Sequence, residues 1–135
     1  MDIQSIRCEI ENLISRNKVF YQYRKSFHDA MQNDLKKLAI EFGFIGQKEY
    51  SVPGGFIDVA WKDNQGNIVL AIEIDSSVRR KSIEKLHALK KDVYRIWICY
   101  SPKDINIKEY EKYIGGMVMK YKYKFKRDRK QGAYL

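Results

Sequence analysis

Ile3, Ile6, Ile10, Leu13 and Ile14 recur at helical spacing, which predicts an amphipathic first helix. A second helical segment is predicted over residues 27–42, with Phe27, Met31, Leu35, Leu38 and Phe42 on its apolar face. Gly43 follows as its stop. Residues 17–23 show no clear period and leave loop and helix both open. The period then changes. Residues 44–52 and 56–62 read as strands separated by Val52-Pro53-Gly54-Gly55, and residues 67–75 as a third strand reached through the hairpin turn Asp63-Asn64-Gln65-Gly66. Helical spacing returns over residues 81–91. The run Tyr94-Arg95-Ile96-Trp97-Ile98-Cys99-Tyr100 suits a central strand covered on both sides. A short helix over residues 108–114 ends at Gly115-Gly116. Helix, three strands, helix, strand predicts an α/β fold with a mixed central sheet flanked by helices.

The hairpin register adds chemistry to this outline. With the turn at residues 63–66, Lys62 opposes Asn67 and Asp58 opposes Ala71, leaving Glu73 as the diagonal neighbour of Asp58. Alternation then puts Asp58 on one face with Ala71, Glu73 and Asp75. Ile57, Val59, Trp61, Ile68, Leu70, Ile72 and Ile74 fall on the other, as core. Diagonal neighbours lie about 7–8 Å apart at the backbone, near enough for two carboxylates to share a cation. Hard oxygen donors suit Mg2+ or Mn2+ rather than zinc. The plainer reading is a solvent-facing hairpin that happens to carry acids. Against it, the third strand is almost wholly apolar apart from Glu73 and Asp75, and the rest of the chain is basic.

Composition points the same way. The 135 residues suit one domain, and a net charge of +9 favours a polyanionic partner, nucleic acid first. Residues 119–126 alternate strictly, with Met119, Tyr121, Tyr123 and Phe125 on one side and Lys120, Lys122, Lys124 and Lys126 on the other. Arg127, Arg129 and Lys130 extend the basic run. The segment reads equally as a lysine-protected edge strand and as a ribbon that tracks phosphates. Two cysteines without paired spacing and two isolated histidines give no zinc motif. No apolar run is long enough to span a membrane and the first residues carry no secretory pattern, so an intracellular, cytoplasmic protein is expected.

Gly55-Phe56-Ile57-Asp58-Val59-Ala60-Trp61 and Ile72-Glu73-Ile74-Asp75 together resemble the two motif elements of the PD-(D/E)XK nucleases, the restriction-endonuclease-like superfamily. The element order from Phe27 to Tyr100 resembles that superfamily's core. The resemblance implies a magnesium-dependent phosphodiesterase acting on DNA before RNA, in a restriction, repair, junction-resolving or mobile-element role. It implies Asp58, Glu73 and Asp75 as metal ligands, with Asp34 or Glu49 as a further acid. One departure stands out: Asp75 occupies the place of the motif lysine. Arg79, Arg80, Lys81 and Lys85 follow it, and Lys81 is the first choice for the missing cation. Arg79 and Arg80, with Lys120, Lys122, Lys124, Lys126, Arg127 and Arg129, are the nucleic-acid contacts expected.

On this reading residues 1–25 form an N-terminal helical extension, 26–101 the nuclease-like core and 102–135 a C-terminal helix and basic strand. The first helix is then available for a homodimer contact. The alternative is a non-catalytic nucleic-acid-binding protein of the same fold, which the Asp75 substitution favours. A membrane-surface module is disfavoured, because the basic segment alternates as a strand.

Overall fold

The computed structural model describes residues 1–127. Two helices lead, α1 (Ile3–Phe20) and α2 (Arg24–Glu41), followed by β1 (Ile45–Val52), β2 (Gly55–Lys62), β3 (Ile68–Asp75), α3 (Arg80–His87), β4 (Tyr94–Tyr100), α4 (Ile107–Ile114) and β5 (Met117–Tyr121). The strands form one sheet in sequence order. β1, β2 and β3 are antiparallel through tight turns, whereas β4 and β5 run parallel to β3 because a helix carries the chain back before each. The class is α/β with a mixed five-stranded sheet and four helices.

One apolar layer joins Ile6, Ile10 and Ile14 of α1 and Phe27, Met31 and Leu35 of α2 to Val59, Trp61, Leu70, Ile72, Ile96 and Ile98 of the sheet. The other joins Ile83 and Leu86 of α3 and Ile114 of α4 to Ala71, Trp97, Cys99 and Val118. The sheet is thus covered on both faces, as its apolar central strands require. Helix α1 is part of the core rather than an extension. Ile6, Ile10 and Ile14 of its isoleucine stripe are buried within the chain. It also continues through the segment without a clear period, to Phe20.

The C-terminal alternation holds as a strand only to Tyr121, where β5 forms the edge of the sheet. Beyond it Tyr123 and Phe125 still turn toward the α1/α2 layer. Phe125 packs 4.4 Å from the ring of Phe27 and 5.0 Å from that of Tyr100, centre to centre. The aromatic half of the pattern is therefore core. Arg129 and Lys130 lie outside the described residues.

The β2–β3 register differs from the simple hairpin. Asp63 closes the turn with its side chain, Oδ1 accepting from the N–H groups of Gln65 and Asn67 at 2.9 Å each. Lys62 consequently pairs with Ile68 rather than Asn67, and Trp61 pairs with Leu70, leaving Val69 as a bulge. The slip amounts to two residues by the time it reaches the acids. An even slip keeps Asp58 and Glu73 on a common face but brings them directly opposite instead of diagonal. Ile68 and Ile57 depart from the expected core face and pack in the α3/α4 layer.

Candidate metal and phosphodiester site

β2 leaves its ladders at Asp58 on both sides. Pairing with β1 runs through Tyr50–Ile57 and Lys48–Val59 but skips Glu49 and Asp58. Glu49 there adopts φ +54°, a left-handed conformation that costs a non-glycine residue about 1 kcal/mol or more. Pairing with β3 ends at Val59–Ile72. The freed backbone groups are taken by side chains. The Asp58 N–H donates to Glu73 Oε1 at 2.7 Å, and the Ile74 N–H donates to Asp58 Oδ2 at 2.8 Å. Gln32 Nε2 donates to the Asp58 carbonyl at 2.8 Å and to Glu49 Oε1 at 3.1 Å. Each carboxylate is thus held by the other strand's backbone.

The gap admits both helical layers. From α2, His28 Nε2 stands 3.4 Å from Asp58 Oδ1. From α3, Lys85 Nζ stands 3.0 Å from Glu73 Oε2 and donates to the Phe56 carbonyl at 2.6 Å. Asp58, Glu73, His28 and Lys85 line an open cleft of about 310 Å³ together with Arg24 and Arg79. All four carboxylate oxygens of the pair have one partner, and each keeps a second lone-pair direction.

Burial pushes the Glu73 carboxyl up to about 7, helped by the Asp58 charge and opposed by the Asp58 N–H and by Lys85. For His28, burial works downward, but the hydrogen bond and charge of Asp58, with Asp29, outweigh it and hold the imidazole above its ordinary value. Asp75 is raised by burial, against hydrogen bonds from Ser82 and Trp97. Three groups are therefore biased toward their protonated forms. A cation between Asp58 and Glu73 would stabilise the ionised pair.

The expected site residues sort as follows. Asp58 and Glu73 come together as the alternation required. Asp75 lines the cleft, but its Oδ2 accepts from Trp97 Nε1 at 2.9 Å and so ties β3 to β4. Lys81 is exposed and does not line the cleft; Lys85, one helical turn further on, does. Asp34 points away to α1, accepting from Asn17 Nδ2 at 2.9 Å and Arg16 at 3.3 Å. Glu49 reaches the site only through Gln32. Arg79 is at the cleft, whereas Arg80 lines a separate depression with Glu109 and Tyr110. In the basic segment, Lys120 is bonded to the Ser101 carbonyl and Lys122 to Asp104 at 2.6 Å. Lys124, Lys126 and Arg127 are exposed and have no acidic partner among the described residues.

Arg24, His28 and Gln32 were not among the expected residues. They recur every fourth position on α2, a polar stripe beside Phe27, Met31 and Leu35, and that spacing was the available signal. Among the described residues no group of three His, Cys, Asp or Glu side chains is arranged to hold a metal ion. No described helix is long and apolar enough to cross a membrane. No protein-family model, curated protein or solved structure matches the chain significantly.

Proposed function

We propose that the chain is a magnesium-dependent nuclease of the restriction-endonuclease-like kind, hydrolysing phosphodiester bonds in DNA before RNA, with Asp58 and Glu73 as metal ligands and Lys85 as the cation of the site. The observation that carries the reading is the position of Lys85. It supplies from α3 a charge next to Glu73, which the motif would supply from the place Asp75 holds. The binding-only alternative drew its strength from Asp75, and a lysine next to Glu73 weighs against it.

The donor set fits the ion. Asp58 and Glu73 offer hard oxygens, and two protein ligands leave room for the several waters that magnesium retains. When bound, the ion supplies Lewis-acid polarisation of a phosphoryl oxygen and a water of lowered pKa. Lys85 Nζ is placed to stabilise the charge that develops on the phosphoryl oxygens. His28 Nε2, 3.4 Å from Asp58 Oδ1, can carry a proton at the edge of the site. Arg24 and Arg79, which both line the cleft, suit the flanking phosphates.

The test is incubation of plasmid and single-stranded DNA with magnesium or manganese, beside Asp58→Ala and Glu73→Ala. Metal-dependent cutting by the wild type, lost in both variants while DNA binding persists, is the expected result. A wild type that binds DNA and never cuts with either metal returns the protein to the binding-only reading.

A further inference from the structure

The acidic cleft does not end at its acids. Arg24, Ser76 and Tyr100 also line a second depression, which continues past Tyr123, Lys124 and Arg127. Tyr123 and Lys124 then line a third, with Lys18, Val19 and Lys126. Shared walls make the three depressions one track. It leads from Asp58 and Glu73 across the start of α2 to the end of α1.

The backbone fixes this path. The Lys126 N–H donates to the Gln22 carbonyl at 2.8 Å, and the Arg24 N–H donates to the Lys126 carbonyl at 3.2 Å. Tyr23 and Lys126 form a parallel bridge. The basic segment after β5 is thereby laid along the α1–α2 connection, which puts Lys124 and Lys126 beside Lys18.

Three properties of the track bear on what occupies it. Among the described residues no Asp or Glu lines its two outer depressions, whereas Lys18, Arg24, Lys124, Lys126 and Arg127 do. At the junction with the acidic cleft, Arg24 Nε is buried without a hydrogen-bond partner. One guanidinium N–H thus lacks an acceptor, and Arg24 lines both depressions, where a phosphate can approach its side chain. At the far end Val19 and Phe20 are 70% and 73% exposed, although both are large and apolar. Cations in a row suit phosphates of any nucleic acid. The exposed ring of Phe20, next in sequence to the lining residue Val19, suits the face of an unpaired base, which a duplex hides in its stack.

We infer that the track holds a single-stranded segment of the substrate. Its phosphates pass over Arg24 and along Lys124 and Lys126, and a base several nucleotides from the cleavage position stacks on Phe20. The substrate class is then nucleic acid with an unpaired arm next to the bond that is cut, rather than uniform duplex. This rests on the nuclease reading for its orientation, but the binding surface can be measured without cleavage.

The experiment is fluorescence anisotropy without divalent metal, using a labelled single strand and a blunt hairpin of the same sequence, with wild type, Phe20→Ala and the pair Lys124→Glu/Lys126→Glu. Phe20 is exposed, so its loss leaves folding intact. The expected results are single-strand binding about tenfold tighter than duplex, and a loss of about tenfold for Phe20→Ala on the single strand with little change on the duplex. The lysine pair weakens both ligands and flattens the salt dependence. Equal or tighter binding of the duplex, or single-strand affinity unchanged by Phe20→Ala, overturns the inference. Single-strand preference in a protein that never cuts with magnesium supports the track and refutes the nuclease reading alone.

Discussion

Glu73 makes the apo protein sensitive to pH in a way that can be calculated. Its carboxyl moves from an ordinary 4.5 to about 7 in the fold, chiefly through burial and then through the charge of Asp58. The folded state thus holds the proton more tightly than the unfolded state. Protons are released on unfolding between these values, so stability is greatest below 4.5 and falls as pH rises through 7. At about 1.4 kcal/mol per pH unit the full effect is about 3 kcal/mol, a large share of a small domain's stability. Glu73→Gln keeps an oxygen for the Asp58 N–H but cannot ionise. Urea unfolding without metal from about pH 5 to about pH 8 should show the wild type losing stability and the variant losing markedly less. Asp75 and His28 are raised as well and give slopes of the same sign, so the reading is the difference between the two proteins. Magnesium should stabilise the wild type near the upper pH limit, where the pair is ionised, and do so far less near the lower limit or in the variant. Parallel pH profiles for wild type and Glu73→Gln would refute the reasoning.

Other consequences are local. Arg95 is buried and its guanidinium donates to the carbonyls of Leu86, His87, Leu89, Lys90 and Ile114, closing the C-terminal ends of α3 and α4 together. Arg95→Met strands those acceptors and should lower the unfolding free energy by about 2–4 kcal/mol in denaturant melts. A Cβ on Gly46 would lie 2.2 Å from the Lys36 carbonyl oxygen, because β1 passes directly against α2. Gly46→Ala should therefore destabilise by about 1–3 kcal/mol, measured the same way. Asp75→Asn retains an acceptor for Trp97 and should leave cleavage within about tenfold of wild type, against a loss of about 100-fold or more for Asp58→Asn.

Most of the architecture was legible because its signals are local. The change from helical to alternating period located the helices and strands up to β4, which runs over residues 94–100 as its apolar run indicated, whereas β5 begins and ends earlier than the lysine alternation suggested. The shared face of Asp58 and Glu73 was legible for the same reason. Their direct opposition was not, because it depends on the Asp63 carboxylate tightening the turn and on the Val69 bulge that follows. The departure of Ile57 from the face of Val59 arises at Asp58, where both ladders open, and no alternation pattern encodes that break. Lys85 and His28 reach the acids from helices on opposite sides of the sheet. Sequence spacing from Asp75 favoured Lys81, but helix α3 turns that side chain outward and presents Lys85, one turn later, to Glu73. The lysine alternation carried no label separating Lys120 and Lys122, which are bonded within the chain, from Lys124 and Lys126, which have no acidic partner among the described residues.

The role of Lys85 beside Asp58 and Glu73 is tested most directly by single-turnover cleavage in magnesium with Lys85→Met and Lys81→Met side by side. Lys85→Met should lose about 100-fold or more in rate while still binding DNA, and Lys81→Met should stay close to wild type. Equal activity of Lys85→Met and wild type, or a selective loss in Lys81→Met, would contradict the account.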